Sequence, residues 1–288
     1  MSAADPFRPP PPFPVETPEG EIDLPYPPFP MPAYRPLVEE GWRCHWFGDH
    51  ISGAGYFTRR RDHAAPQFGL MRTDGEAWMT TAPMEIESQA PHLAAAEGHV
   101  LVGGLGLALM AYALTEKPEV ARVTVVERDA ALIRLAPRFA QIDLWPGRAK
   151  LTIVEADLLT YAPDPADPPV DFLYVDIWRG YRAEPKIANM QAVQAKIRAP
   201  KVGYWGQEVD AVDWAAAQGI APETFDAAAF EAFRAATGLP LIGLEAPSYP
   251  ELCRRAAANP DIPDQATAER IAAADAKRLL TEAPRRPF

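Results

Sequence analysis

Between residues 98 and 208, short apolar runs alternate with stretches of helical spacing. His99–Val102, Arg122–Val126, Lys150–Val154, Val170–Val175 and Lys201–Trp205 are four to six residues long and rich in Val, Leu, Ile and aromatic side chains, as buried strands are. Leu107–Leu114, Ala130–Phe139 and Lys186–Arg198 fall between them with helical periodicity. Strands that alternate with helices need right-handed crossovers. The pattern therefore predicts an α/β domain with a Rossmann-like, doubly wound, mostly parallel sheet covered by helices on both faces.

The flanks read differently. Residues 37–82 scatter Trp42, Trp46, Phe47, Tyr56, Phe57 and Phe68 among polar residues and glycines, which predicts a small β-rich segment. Thr73-Asp74-Gly75-Glu76 is its hairpin turn. A lead-in helix over 85–97 follows, completing a segment over 37–97. Beyond residue 208 the periodicity is helical, over 209–217, 223–236, 248–258 and 264–281, giving a helical extension over 209–288. Residues 1–36 hold 13 of the 33 prolines, including the run Pro9–Pro12. Such a stretch cannot be a helix interior or a central strand, and is expected as an extended arm. The arm could lie on the body or wrap a partner, a second copy of the chain (a homodimer) among them.

Composition narrows the functional classes. The 288 residues are 48% hydrophobic and carry a net charge of −11. Nucleic-acid affinity comes from clustered Lys and Arg, so no nucleic-acid partner is expected. The Arg59-Arg60-Arg61 run is short and reads as a solvated loop. The two cysteines, Cys44 and Cys253, lack metal-ligand spacing and fit a reducing, cytoplasmic setting. No apolar run is long enough for a membrane span, so no membrane partner is expected. Cys44, His45, Asp49 and His50 lie close together, but without the paired spacing of zinc sites. No metal is assigned.

Candidate chemistry gathers where the predicted strands end. Val100-Leu-Val-Gly-Gly-Leu-Gly-Leu-Ala108 runs from a strand through glycines into a helix. Gly104, Leu105 and Gly106 would let a ligand approach the backbone near a helix N-terminus; a tight strand-to-helix turn would use the same glycines. Glu127 lies 21 residues after Gly106 at the end of the next strand, where a carboxylate can accept from both hydroxyls of a ribose, with Arg128 beside it. Glu155-Ala156-Asp157 closes the third strand. Asp157 can take the amino hydrogens of an adenine, or can cap a local turn, with Leu158 adjacent. Asp171-Phe-Leu-Tyr-Val-Asp176 ends the fourth strand. Ligands of open α/β sheets bind at the carboxyl ends of the strands, so Glu127, Asp157 and Asp176 should face one cleft.

The segment 98–178 resembles a class I S-adenosylmethionine-dependent methyltransferase. Gly104, Gly106 and Ala108 occupy the three places of its G-x-G-x-G turn. The resemblance implies S-adenosylmethionine as cofactor, Glu127 as the ribose acid, Asp157 beside the adenine and Asp176 beside the reacting end. The layout is similar to the spermidine-synthase-like branch, with Leu70-Met-Arg-Thr-Asp74-Gly75 as its hairpin and with Glu85 and Gln89 near its acidic, helix-opening segment. Gln89 joins the cofactor contacts on that basis. Leu107 stands where that branch has aspartate, Trp78 stands where it has glutamine, and Asp176-Ile-Trp-Arg179 replaces its D-S-S-D-P segment. Asp176-Ile-Trp178 with Tyr181 is also similar to metal-dependent O-methyltransferases, although Gln207-Glu208 stands where their Asp-Asn pair follows the fifth strand.

The expected function is methyl transfer to a small-molecule acceptor, with Asp176 and Glu208 as the candidate catalytic acids that take the acceptor's proton or hold its amine. Aminopropyl transfer, a non-catalytic nucleoside-binding or assembly role, and NAD-dependent oxidoreduction are the alternatives. Trp178, Trp205 and Tyr181 could line the acceptor pocket or pack as ordinary core. His92 could reach the cleft as a base.

Overall fold

The computed structural model describes residues 22, 25–47, 54–59, 66–75, 77–243 and 245–282. The Pro9–Pro12 run, Asp49, His50, Arg60, Arg61, His63 and Glu76 lie outside the described residues.

Two sheets form the frame. The first is a four-stranded antiparallel meander of β1 (Leu37–Glu39), β2 (Trp42–Phe47), β3 (Gln67–Arg72) and β4 (Ala77–Thr80). Strand alternation puts Trp42 and Cys44 of β2 inside and Arg43 outside. The β3–β4 connection is the hairpin read from Asp74-Gly75, with Gly75 at a φ of 98°. Helix α1 (Pro83–Ala95) follows.

The second sheet has five parallel strands: β5 (Gly98–Gly103), β6 (Val120–Glu127), β7 (Leu151–Glu155), β8 (Phe172–Val175) and β9 (Lys201–Tyr204). Their spatial order is β7-β6-β5-β8-β9, the doubly wound Rossmann-like order. Helices α2 (Leu109–Glu116) and α3 (Ala130–Phe139) carry the chain outward through β6 and β7, and α4 (Lys186–Ile197) joins β8 to β9. Winding reverses between β5 and β8, which creates a switch point there. One crossover departs from the helical pattern: no helix spans residues 156–171 between β7 and β8.

The core is centred on β5, whose Val100, Leu101 and Val102 are all buried. Helix α1 lies on the sheet through His92, whose ring centroid is 4.9 Å from that of Tyr174 on β8. A Cβ at Gly203 on β9 would sit 2.3 Å from Nδ1 of His92, so this packing requires glycine there. Lys117, after α2, donates to the carbonyl oxygens of Leu93, Ala94 and Ala96 at 2.7–2.9 Å and so satisfies the end of α1.

Helices α5 (Gln207–Ala217), α6 (Ala227–Thr237), α7 (Tyr249–Ala257) and α8 (Gln265–Glu282) follow β9. The region is stitched to the sheet: the N–H of Val202 donates to Pro240 at 3.0 Å, and that of Ile242 to Val202 at 2.9 Å. Among the described residues, no helix is long and apolar enough to cross a membrane.

Replacing Gly203 with Ala is expected to destabilise the protein by about 1–3 kcal/mol through overpacking against His92, read as a lowered midpoint in urea unfolding with the slope unchanged.

Candidate functional site

A cleft of about 640 Å³ opens over the carboxyl ends of β5, β6, β7 and β8. That lies within the range of about 300–1,000 Å³ typical of small-molecule sites. Its floor is the glycine turn. Gly104 has a φ of 93°, and a Cβ on it would stand 2.2 Å from the carbonyl oxygen of Asp176. Only glycine lets β5 and β8 end this close together. Ala108, the third place of the motif, adopts a left-handed φ of 58° as the N-cap of α2. From the small sheet, Met79 of β4 covers the turn, its Sδ 3.2 Å from the N–H of Leu107.

The three strand-end acids meet there as expected: Glu127, Asp157 and Asp176 all line the cleft, together with Gln89, Leu105, Arg128 and Leu158. Each acid is held differently. The carboxylate of Glu127 accepts from the N–H of Leu105 at 2.9 Å and from that of Asp129 at 2.8 Å. It bridges the glycine turn to α3 and keeps lone pairs for a ligand. Asp157 accepts from the N–H of Leu159 at 2.9 Å through one oxygen. It therefore makes a local turn and faces the cleft at once. Asp176 is fixed by its backbone, its N–H donating to Gly103 at 2.8 Å.

Burial sets the electrostatics of Asp176. Burial pushes its carboxyl up to about 7, against an opposing pull from Lys186. Glu85 of α1 lines the same cleft, and burial together with the neighbouring Asp176 pushes it up as well. Neighbouring carboxyls disfavour each other's ionisation. Beside them stand buried polar atoms without a partner, the hydroxyl of Tyr174 and Nε1 of Trp178. Buried polar groups are ordinarily satisfied, so this set points to a ligand.

Aromatic rings form the wall. Tyr181 stacks on Trp205 with centroids 3.9 Å apart, and Nε1 of Trp205 donates to Ser88 at 3.1 Å. Trp205 is thus both packed and cleft-lining. Arg179 lies over the Trp78 ring. Pro263 and, on α8, Ala268 and Ile271 close one side. The sequence reading did not anticipate them, because an alanine-rich helix far along the chain carries no chemical signature. Arg182 anchors this segment: it pairs with Asp213 at 2.6 Å and donates to the carbonyl oxygen of Pro263 at 3.0 Å.

Glu208 and His92 do not line the cleft. Glu208 lies fully buried behind it, where Oε1 accepts from the Tyr249 hydroxyl at 2.7 Å and Oε2 from that of Tyr56 at 3.2 Å. His92 Nε2 is 3.8 Å from the same carboxylate, and burial lowers the imidazole to about 3, so it is neutral. The expectation that Glu208 meets an acceptor is corrected: its position just after β9 is right for a site residue, but the first turn of α5 points it inward. Gln207 also points inward, donating to Tyr249 and Ile242. Among the described residues, no three His, Cys, Asp or Glu side chains converge to hold a metal ion.

No family model matches the chain, and no curated protein matches it. Solved structures are similar over roughly a third of it. The methyltransferase domain of bacterial CtHen1 is 17% identical with a TM-score of 0.29, over 37% of this chain and 55% of that one. The glycopeptide N-methyltransferase MtfA, complexed with S-adenosylmethionine, is 15% identical with a TM-score of 0.27, over 36% and 42%. YcgJ from Bacillus subtilis is 20% identical with a TM-score of 0.27, over 35% and 40%. The chain thus spans about half the length of these structures or less. The functional reading rests on the residues of the cleft.

Burial pushes the Glu208 carboxyl from 4.5 up to about 7. An acid whose pKa rises on folding stabilises the native state fully below its unfolded pKa, and that contribution is lost as pH climbs through the folded value. Glu208→Gln is therefore expected to flatten the stability profile between pH 4.5 and about 7 by about 3 kcal/mol relative to the parent, measured by urea unfolding across that window.

Proposed function

We propose that the chain is an S-adenosylmethionine-dependent methyltransferase acting on a small molecule. One observation carries the reading. Glu127, Asp157 and Asp176 sit at the ends of, or just beyond, three strands and face one cleft whose floor is a glycine turn, with Gln89 lining it as well. This donor and acceptor set fits an adenosyl cofactor with a cationic amino-acid end.

Glu127 would take the ribose hydroxyls with the lone pairs left over from Leu105 and Asp129. Asp157 has one oxygen free of its local turn for an adenine amino group, with Leu105 and Leu158 offering apolar contact to the base. The backbone of Gly104–Gly106 allows close approach, with Arg128 at the rim. Asp176 and Gln89 would hold the charged end. The bound cofactor supplies an electrophilic methyl group on a sulfonium.

The rest is alignment, the main contribution a protein makes to an in-line displacement. Trp178 and Trp205 line the cleft with rings that favour a cationic sulfur and exclude water, and Tyr181 backs Trp205. Burial pushes both carboxyls of the Glu85–Asp176 pair up, and the pair is placed to accept a proton from the acceptor or to hold an amine. The same pair favours the second reading, a spermidine-synthase-like aminopropyl transfer to an amine.

Calorimetry with S-adenosylmethionine, S-adenosylhomocysteine and NAD tests this. Affinity in the micromolar range is expected for the first two, and Glu127→Ala should weaken it by roughly 10- to 100-fold, the loss of charge-assisted hydrogen bonds to the ribose. Binding of NAD with none of either adenosyl ligand would overturn the proposal in favour of an oxidoreductase. Adenosyl binding without turnover on any amine, hydroxyl or carboxyl acceptor would leave a nucleoside-binding protein.

A further inference from the structure

The cleft is chemically divided. At the ends of β6 and β7 its lining is polar, with Glu127, Arg128 and Asp157. Beyond β8 it is apolar, lined by Trp178, Trp205, Pro263, Ala268 and Ile271. Each apolar wall is fixed by its own contacts. Trp178 meets Tyr204 edge-on at 5.9 Å, and Trp205 lies on Tyr181, which itself stacks on Tyr56 at 5.2 Å. On the other side Ala268 and Ile271 are three residues apart and so share one face of α8. Asp264 sets the phase of that face by accepting from the N–H of Thr267 at 2.7 Å. Arg182 ties the two walls together: it follows Trp178 in the chain and donates to the carbonyl oxygens of Pro263 at 3.0 Å and Ala257 at 3.4 Å.

A carboxyl stands at the foot of the ring wall. Nε1 of Trp205 donates to Ser88 Oγ at 3.1 Å, and that hydroxyl donates to the carbonyl oxygen of Glu85 at 2.8 Å. Trp205 is thereby held against the first turn of α1, where Glu85 lines the cleft. The other charged residues of this half are Arg179, which lies over Trp78, Arg182, which is paired with Asp213, and Glu184. Ile271 is 51% exposed, a large apolar side chain held half in water where it lines a cavity. A ligand that covers it gains the apolar area removed from water. A sugar or a peptide backbone would instead leave polar groups unpaired against these walls. Burial pushes the Glu85 carboxyl up. A buried carboxyl ionises where a cation pairs with it, and an ammonium between the walls would supply one.

We propose that the acceptor half of the cleft is a slot for a monoamine with an apolar alkyl or aryl body. Its nitrogen sits at Glu85, and its carbons lie between the Trp178 and Trp205 rings and the Ala268–Ile271 face of α8. The inference rests on the functional reading above and names the class of acceptor.

Calorimetry of the full-length protein with the series n-propylamine to n-heptylamine tests this, with S-adenosylhomocysteine filling the cofactor half. Each added methylene should tighten binding by up to about fourfold. Ile271→Asn alters an exposed position, and its S-adenosylhomocysteine affinity should match the parent's, which checks that the cleft is intact. The variant should flatten the increment for the longer amines. Glu85→Gln should weaken every amine by about tenfold and leave the increment unchanged, and n-heptanol should bind the parent about tenfold more weakly than n-heptylamine. Affinity that does not grow with chain length, or an increment that survives Ile271→Asn, overturns the proposal. So does an alcohol that binds as tightly as its amine, or cadaverine that binds more tightly than n-pentylamine, the mark of a polyamine site. If the parent does not bind S-adenosylhomocysteine, the functional reading fails, while the amine series run without it still decides the slot.

Discussion

Gly104 and Asp176 meet at the floor of the cleft with no room for a side chain between them. Strands β5 and β8 are neighbours, and the N–H of Asp176 donates to Gly103 one residue past the last rung of their ladder. A side chain at residue 104 would have to occupy the place of the Asp176 carbonyl oxygen, 2.2 Å away. This contact keeps the glycine turn and the fourth-strand acid within one ligand's length of each other. The sheet order makes it possible, because winding reverses between these two strands and leaves a crevice there. Glu127 then completes the floor from the other side, pinned to Leu105 of the same turn.

Much of this was legible in the sequence, for a physical reason. Strand and helix periodicities report burial, and buried strands of a parallel sheet read as continuous apolar runs. The residues at the ends of those runs must then lie at one edge of the sheet, so Glu127, Asp157 and Asp176 could be placed together from spacing alone. Depth could not be read in the same way. Glu208 follows β9 in sequence much as Asp176 follows β8, yet it faces away from the cleft. The difference lies in helix phase and in Tyr56 and Tyr249, which come from segments 152 and 41 residues away. Neither periodicity nor spacing encodes such contacts. For the same reason nothing in the sequence marks Met79, Ala268 or Ile271 as residues of the cleft.

The small sheet and the C-terminal helices act on one site from opposite sides. β4 delivers Trp78 and Met79 onto the glycine turn, and α8 brings Ala268 and Ile271 over the far wall. The segment 54–59 is tied to both α1 and the C-terminal region. Glu87 accepts from the N–H groups of Phe57 and Thr58 at 2.8 and 3.0 Å, and Asn259 donates to the carbonyl oxygen of Gly55 at 3.0 Å. Buried polar groups tied across elements in this way specify one arrangement, because breaking any member leaves another unsatisfied. The acceptor side of the cleft is therefore built from segments distant in sequence.

Burial gives Asp176 and Glu208 nearly the same elevated pKa, about 7, and yet the two cannot have the same role. Glu208 accepts from two phenolic hydroxyls and is buried away from the cleft, so its proton acts on stability. Asp176 borders open cleft, beside the unpaired Tyr174 hydroxyl and Trp178 Nε1. A perturbed pKa marks a functional group only where a ligand can reach it. What distinguishes the two acids is what each faces: a completed hydrogen-bond network in one case, and in the other a set of polar atoms still waiting for a partner.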